Sequence, residues 1–196
     1  MTHIDLANLE PAYRLLLTTD GTLTNMLEAV NLERICLLPL AQRIYQTEQQ
    51  IDSLALEPGE SVMQRQVLLK GERTGKTYVY ADSLIAMRRL DARIREALLT
   101  TNTPIGRLWK ENRIETFKEV LQFGTDVARE RSFYFEKSAD TQLLVRKSRV
   151  ASGGKPVALI TEHLRYDSVE QAAREVYPVT HDAQNRAVGR GYVTPS

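Results

Sequence analysis

Residues 61–87 read SVMQRQVLLKGERTGKTYVYADSLIAM, and they predict a β-hairpin. The segments 61–70 and 77–87 are rich in Val, Ile, Tyr and other residues that favour strands. Residues 71–76 between them contain Gly-Glu-Arg-Thr-Gly, which is typical of a hairpin loop. The stretch therefore predicts two long antiparallel strands joined by a short turn.

The flanking sequence predicts further strands and helices. After Thr22, a residue type that often caps helices, apolar residues recur at helical spacing: Leu23, Met26, Leu27 and Val30. Other helices are predicted over 91–99, over 103–123 and from Ser168, and other strands over 34–45, 131–137, 142–151 and 156–164. About six strands, mostly joined by hairpins, predict an α+β fold: an antiparallel sheet with helices packed on one face.

The composition is that of an ordinary globular domain. The chain has 196 residues, 42% hydrophobic and 26% charged, and this length suits one domain with its own core. We predict one domain over residues 1–196, with a loosely ordered tail from about residue 178. The net charge of +1 lacks the basic excess from which nucleic-acid-binding proteins gain most of their affinity. The sequence argues against a nucleic-acid partner.

Few residues are available for disulfide or metal chemistry. Cys36 is the only cysteine, and its apolar neighbours predict a buried position. The histidines His3, His163 and His181 lie far apart, so we predict no metal site. The N-terminus has no signal-peptide pattern, and no apolar run approaches the ~18–20 residues that cross a bilayer. These features predict a cytoplasmic protein.

Two charged residues fall on the apolar faces of predicted strands, because successive side chains alternate between the two faces. Arg65 shares its face with Met63, Val67 and Leu69. Glu162 shares its face with Ala158, Ile160 and Leu164. An inward charge is unfavourable unless it is paired or serves a purpose. These two residues are therefore the leading candidates for a functional site.

Two interpretations of Arg65 and Glu162 remain open from the sequence. They can pair with each other or with polar neighbours as a buried salt bridge. Alternatively, they line a ligand pocket in which Arg65 binds an anion and Glu162, its pKa raised by burial, transfers protons. The helix starts at Leu23 and Ile105 offer free backbone N–H groups, which can bind carboxylates.

Other charged residues have simpler predicted roles. Arg146, Lys147 and Arg149 form a basic cluster that we expect at a solvated strand edge. His163 follows Glu162 in the sequence but points to the other face of the strand, so the two do not form a direct catalytic pair.

Four short stretches occur in a fixed order between residues 16 and 164. They are DGTLT (20–24), QRQVLL (64–69), TPIGR (103–107) and SGGKP (152–156) running into LITE (159–162). Together they resemble the chorismate pyruvate-lyase family, also called 4-hydroxybenzoate synthase. Its members eliminate pyruvate from chorismate and leave 4-hydroxybenzoate. Leu23 and Ile105 stand where the best-known members have Met and Leu, so the chain looks like a divergent branch.

The resemblance implies an antiparallel sheet with helical flaps, here within 91–123, over an internal cavity. It implies that Arg65 binds the ring carboxylate of chorismate, and that the backbone N–H groups of Leu23 and Ile105 share that carboxylate or line its pocket. Glu162 would act as general acid/base near the enolpyruvyl ether. The resemblance implies no metal or cofactor, and it suggests that the product enters quinone biosynthesis.

The same fold also resembles the effector-sensing domain of some bacterial transcription repressors. The alternative function is therefore a non-enzymatic module that binds a small aromatic acid. We expect an inward Glu162 to repel an acidic ligand, which favours the enzyme. A third possibility is a related lyase or binder acting on a close analogue of chorismate. The oligomeric state stays open.

Overall fold

Six strands form one antiparallel sheet in the computed structural model, which describes residues 1–167. The strands are β1 (Ile35–Gln46), β2 (Ser61–Gly71), β3 (Thr77–Ala86), β4 (Phe117–Val127), β5 (Gln142–Ser152) and β6 (Lys155–Leu164). Their order across the sheet is β1-β2-β3-β6-β5-β4, and every neighbouring pair is antiparallel. The hairpin predicted from residues 61–87 is β2–β3, and the predicted α+β class is confirmed.

Five helices accompany the sheet within the described residues. They are α1 (Pro11–Thr18), α2 (Leu23–Asn31), α3 (Ala92–Thr100), α4 (Ile105–Glu111) and α5 (Ser132–Phe135). The first four pack on one face of the sheet, which we call the inner face. The four-residue α5 lies on the opposite, outer face, where Phe135 packs with Leu68 and Tyr80. The predicted helical face is confirmed for the four longer helices.

Two clusters of buried apolar side chains join these helices to the inner face. Leu17 of α1 and Leu27 of α2 pack against one end of the sheet, beside Val79 and Leu164. Ile94 and Leu98 of α3 and Trp109 of α4 pack against the other end, beside Met63, Ile85 and Ala158. Helices α2 and α3 bury residues spaced three or four apart, as amphipathic helices do. The region between the two clusters is the floor of a pocket.

The helix predicted over 103–123 is wrong beyond Glu111. Helix α4 ends there, and Arg113 has the left-handed φ of 53°, which no helix continues. The chain then enters the edge strand β4. Gly124, one residue past the predicted helix, lies within β4, where a Cβ on it would clash with the carbonyl oxygen of Thr2. That N-terminal residue forms an isolated bridge with Thr125.

Two further predictions are wrong. The strand predicted over 131–137 is the short helix α5, which ends where Glu136 adopts a φ of 54°. Burial of Phe135 stabilises this turn against the outer face. Cys36 is exposed, because β1 is an edge strand and Ile35 takes the buried position beside it.

Residues Met1–Tyr166 form one compact unit. The helix predicted from Ser168 and the tail predicted from residue 178 lie outside the described residues. For the same reason the single domain predicted over 1–196 stays a prediction. No helix in residues 1–167 has the length and apolar character needed to cross a membrane.

Candidate functional site

A pocket of about 220 Å³ lies between the inner face and the first turns of α2 and α4. It is smaller than the roughly 300–1,000 Å³ of typical drug-sized ligand sites, so it suits a small metabolite. Its apolar lining comes from both core clusters and includes Val67, Ala81, Ile85, Trp109 and Ile160. All four predicted site residues line it: Leu23, Arg65, Ile105 and Glu162.

Arg65 is a buried cation that no described residue neutralises. It lies on β2 opposite Ser83 of β3, and only 4% of its surface is exposed. Its side chain makes no hydrogen bond or ion pair with the described residues, and its Nε is fully enclosed without an acceptor. Burial lowers the pKa of this guanidinium, although arginine stays charged in proteins. A buried guanidinium of this kind is suited to binding an anion.

Glu162 lies in another part of the pocket, and two neighbouring cations compensate its negative charge. It is 6% exposed, and its Oε2 lies 2.5 Å from the Nε of Arg146 on β5 and 4.0 Å from the Nζ of Lys118 on β4. Arg146 also donates to the carbonyl oxygens of Leu16 at 2.6 Å and Thr19 at 3.3 Å. This network fixes both Glu162 and the guanidinium behind it.

The two cations decide the charge of Glu162. Burial acts to raise its pKa, but Lys118 and Arg146 outweigh burial and hold the pKa below 4.5. The prediction of a raised pKa at Glu162 is therefore wrong. Burial lowers the pKa of Lys118 below 10.5, and Glu162 opposes part of that shift. The site holds an ionised carboxylate next to an ammonium that loses its proton more readily than an exposed lysine.

Strand register separates Arg65 from Glu162. Arg65 lies opposite Ser83, which lies opposite Ile160, whereas Glu162 lies opposite Ala81. Two strand spacings and a two-residue offset put the Cα atoms of Arg65 and Glu162 roughly 12 Å apart. Of the two interpretations left open, direct pairing is excluded. Among residues 1–167, Glu162 has ion partners and Arg65 has none.

The predicted helix starts meet at the pocket. Thr22 precedes α2 without making a side-chain cap, and Pro104 occupies the N-cap position of α4. A Cβ on Gly106 would lie 3.0 Å from Thr22, so this glycine allows the two helix ends to approach each other. An ion pair between Arg107 and Glu28 at 2.9 Å joins the same helices.

Sequence reasoning missed two charged residues of the site. Arg146 was expected at a solvated edge but is 0% exposed, because it lies on the inner face of β5, opposite Glu162. Sorting β5 by alternation would have found it, since Leu144, Ser148 and Val150 share its face. Lys118 was hidden because its segment was assigned to a helix. His163 points to the outer face as predicted, where its ring contacts Tyr80.

Residues 1–167 contain no group of three or more His, Cys, Asp or Glu side chains that could hold a metal ion. The polar lining of the pocket consists of Arg65, Lys118 and Glu162, together with Asp20, Lys110 and the hydroxyl groups of Thr22, Thr24, Ser83 and Thr116.

The chain is similar to known proteins in both its sequence and its fold. The family model described as chorismate pyruvate-lyase Rv2949c-like matches residues 17–172. A protein named chorismate pyruvate-lyase from Mycobacterium tuberculosis (strain ATCC 25618 / H37Rv) is 31% identical over 166 residues, 83% of each chain. The protein of that name from Mycobacterium leprae (strain TN) is 31% identical over 172 residues, 87% of this chain and 82% of its own.

Among solved structures, the effector domain of PhnF from Mycobacterium smegmatis superposes with a TM-score of 0.62. It is 13% identical in sequence, and the match covers 77% of this chain and 92% of that one. At this identity the likeness concerns the fold alone. The family model covers most of the chain, and the curated relatives exceed 30% identity across it. The chain therefore belongs to the Rv2949c-like chorismate pyruvate-lyase family.

Proposed function

We propose that this protein is a chorismate pyruvate-lyase that eliminates pyruvate from chorismate and releases 4-hydroxybenzoate. Arg65 would bind the ring carboxylate, and Glu162 would act as general acid/base at the other end of the ring. The backbone N–H groups of Leu23 and Ile105 would line the carboxylate pocket. The pocket walls would limit the access of water and hold the ring in one orientation.

The observation that carries this proposal is the missing partner of Arg65. Burying a guanidinium without a counterion is unfavourable, and no described carboxylate contacts this one. A ligand carboxylate would supply the counterion, because the planar guanidinium can bind it through two hydrogen bonds. The apolar side chains of the lining, such as Val67, Ile85 and Trp109, suit a ring.

The charge balance of the pocket supports a ligand with two negative charges. When the charged residues at the pocket are all ionised, four cations and two carboxylates leave a net charge of +2. They are Arg65, Lys110 and Lys118 with Asp20 and Glu162 in the lining, and Arg146 behind Glu162. Chorismate carries two carboxylates, one on the ring and one on the enolpyruvyl group, so its charge balances the site. A monocarboxylate would leave one positive charge uncompensated.

The ionised state of Glu162 supports a base rather than an acid in the resting site. Its pKa is held below its ordinary value, so the carboxylate is free to accept the proton that the ring loses on becoming aromatic. Arg146 fixes the carboxylate from behind. The 4-hydroxybenzoate formed would be available to quinone synthesis, and the cytoplasm stays the predicted compartment.

The effector-sensing alternative is not removed by the charge of Glu162. We expected that carboxylate to repel an acidic ligand, but Arg146 and Lys118 more than neutralise it. Turnover is therefore the property that separates an enzyme from a binding module of the same fold.

The test follows pyruvate and 4-hydroxybenzoate together after purified protein is mixed with chorismate. Equimolar products are expected. Glu162→Gln should lower kcat by about 10²–10⁴-fold, whereas Glu119→Gln, which changes a partly exposed carboxylate on β4 outside the pocket, should leave kcat within about twofold. Arg65→Met should weaken 4-hydroxybenzoate binding by roughly 30-fold or more.

Saturable binding of 4-hydroxybenzoate that depends on Arg65, without any turnover, would replace the lyase by the sensor. Neither binding nor turnover would leave only the fold and the family.

A further inference from the structure

Lys118 is a buried titratable group in the pocket to which the proposed roles of Arg65 and Glu162 assign nothing. It comes from the edge strand β4, and its side chain is 13% exposed. It lines the same pocket as Arg65. An edge-strand lysine ordinarily extends into water, whereas this one runs along the inner face to Glu162.

The charges around Lys118 come from four elements. Glu162 of β6 lies 4.0 Å from its Nζ, and Arg146 of β5 is bound to the same carboxylate oxygen. Asp20 between α1 and α2 and Lys110 of α4 also line the pocket. Among these groups, Lys118 is the buried cation able to give up a proton, because an arginine such as Arg146 is not deprotonated in proteins.

We infer that Lys118 is the general acid of the elimination, protonating the ether oxygen of the leaving group while Glu162 accepts the ring proton. This inference rests on the proposed lyase function and divides the acid and base roles that were there assigned to Glu162 alone. Glu162 and Lys118 are then a base and an acid held side by side over one edge of the ring.

The step balances in atoms and electrons. The C–H bond at the hydroxyl-bearing ring carbon breaks, its proton goes to Glu162, and its electron pair forms the last double bond of the aromatic ring. The adjacent carbon–oxygen bond breaks, and its electron pair stays on the ether oxygen. Lys118 gives that oxygen a proton, so the leaving group departs as the enol of pyruvate, which then tautomerises to pyruvate.

The spacing of the two groups suits this reaction. The proton to be removed and the oxygen to be protonated are on neighbouring ring carbons, so the acid and the base must also be neighbours. The distance of 4.0 Å between the Nζ of Lys118 and the Oε2 of Glu162 meets that requirement. Once the products leave, protonated Glu162 lies beside neutral Lys118, and one proton transfer restores the resting site.

The test compares Lys118→Met, Lys118→Arg and the control Lys147→Met with the unmodified protein. Lys147 is on the neighbouring strand but on the outer face, opposite Thr161. We expect Lys118→Met to lower kcat for chorismate by about 10²–10⁴-fold while the Kd for 4-hydroxybenzoate changes less than about threefold. That product has no leaving group, and Arg65 binds its carboxylate. Lys118→Arg should be similarly slow, because it keeps the charge but cannot donate the proton.

The pH profile distinguishes an acid from a structural residue. In the unmodified protein kcat should fall as pH rises through the pKa of Lys118, because the acid must be protonated. The residual activity of Lys118→Arg should lose this alkaline decline, and Lys147→Met should keep both the rate and the decline. Full activity in Lys118→Arg, or equal losses of activity and product affinity in Lys118→Met, overturns the acid role and leaves the lyase standing. No turnover by the unmodified protein overturns both.

Discussion

The two ends of the pocket handle buried charge in opposite ways. At one end Arg65 is enclosed and has no partner among the described residues. At the other end Glu162 contacts Arg146 at 2.5 Å and Lys118 at 4.0 Å, and Arg146 is held in turn by two backbone carbonyl groups. One end lacks a counterion and the other contains its own.

This difference separates a binding role from a chemical role. An uncompensated cation is least favourable in the empty protein and gains most when an anion arrives. A compensated cluster is stable without ligand, so its carboxylate and ammonium can be held in fixed positions before the substrate binds. The comparison predicts that substitutions at the two ends change stability with opposite signs.

The largest expected effect on stability is at the compensated end. Arg146→Met should lower the free energy of unfolding by about 3–5 kcal/mol, because it leaves Glu162 buried with only the more distant Lys118. The matched control is Arg149→Met on the same strand. Arg149 contacts Glu119 at 2.6 Å, but both side chains are partly exposed, so the loss should stay below about 1 kcal/mol.

Urea unfolding of both variants measures this contrast. Equal losses in Arg146→Met and Arg149→Met would break the comparison, since the Glu162 end would then be no more tightly coupled than a surface pair.

A second prediction sharpens the contrast between the two faces of β6. His163 follows Glu162 but faces outward, and burial, with Arg131 adding to it, lowers its pKa from 6.5 to about 4. As pH falls from about 6.5 to 4, the unfolded chain takes up a proton that the folded chain does not. Stability should therefore fall by about 2 kcal/mol between pH 7 and pH 5.

His163→Phe should remove most of that decline, and His3→Gln, at an exposed N-terminal position, should not. Urea unfolding at the two pH values measures it. Glu162, whose pKa is lowered, contributes stability that is lost only as pH falls below its ordinary value of 4.5. An unchanged decline in His163→Phe would shift the acid sensitivity to other groups.

The smallest expected effect has the opposite sign. Arg65→Met should raise the free energy of unfolding of the ligand-free protein by about 1 kcal/mol, because it removes a buried charge that has no partner. Arg43→Met, which changes an exposed arginine bonded to Gln64, serves as the control and should change stability by less than about 0.5 kcal/mol.

Thermal or urea unfolding without ligand shows whether Arg65→Met raises or lowers the free energy of unfolding. A loss comparable with that of Arg146→Met would mean that Arg65 supports the fold as Arg146 does, and the distinction between the two ends would fail.

Much of the site could be predicted from local patterns. Period-two alternation alone put Arg65 and Glu162 on the buried faces of β2 and β6, where the structure has them. The rest of the site could not be predicted, because it required β4 to be recognised as a strand. The helical pattern that begins at α4 predicts a helix as far as residue 123, and the turn at Arg113 has neither glycine nor proline to reveal its end. Lys118 was missed because the strand that carries it was predicted to be helical.

The sequence by itself determined the long hairpin, the antiparallel class and the two charges on apolar faces, because alternation and turn composition are local properties of the chain. Only the tertiary structure decided which charges meet. The register that sets Arg146 opposite Glu162 and the reach of Lys118 across from β4 depend on strand order. Strand order arises from contacts between residues far apart in sequence, so no local pattern encodes that Glu162 is compensated and Arg65 is not.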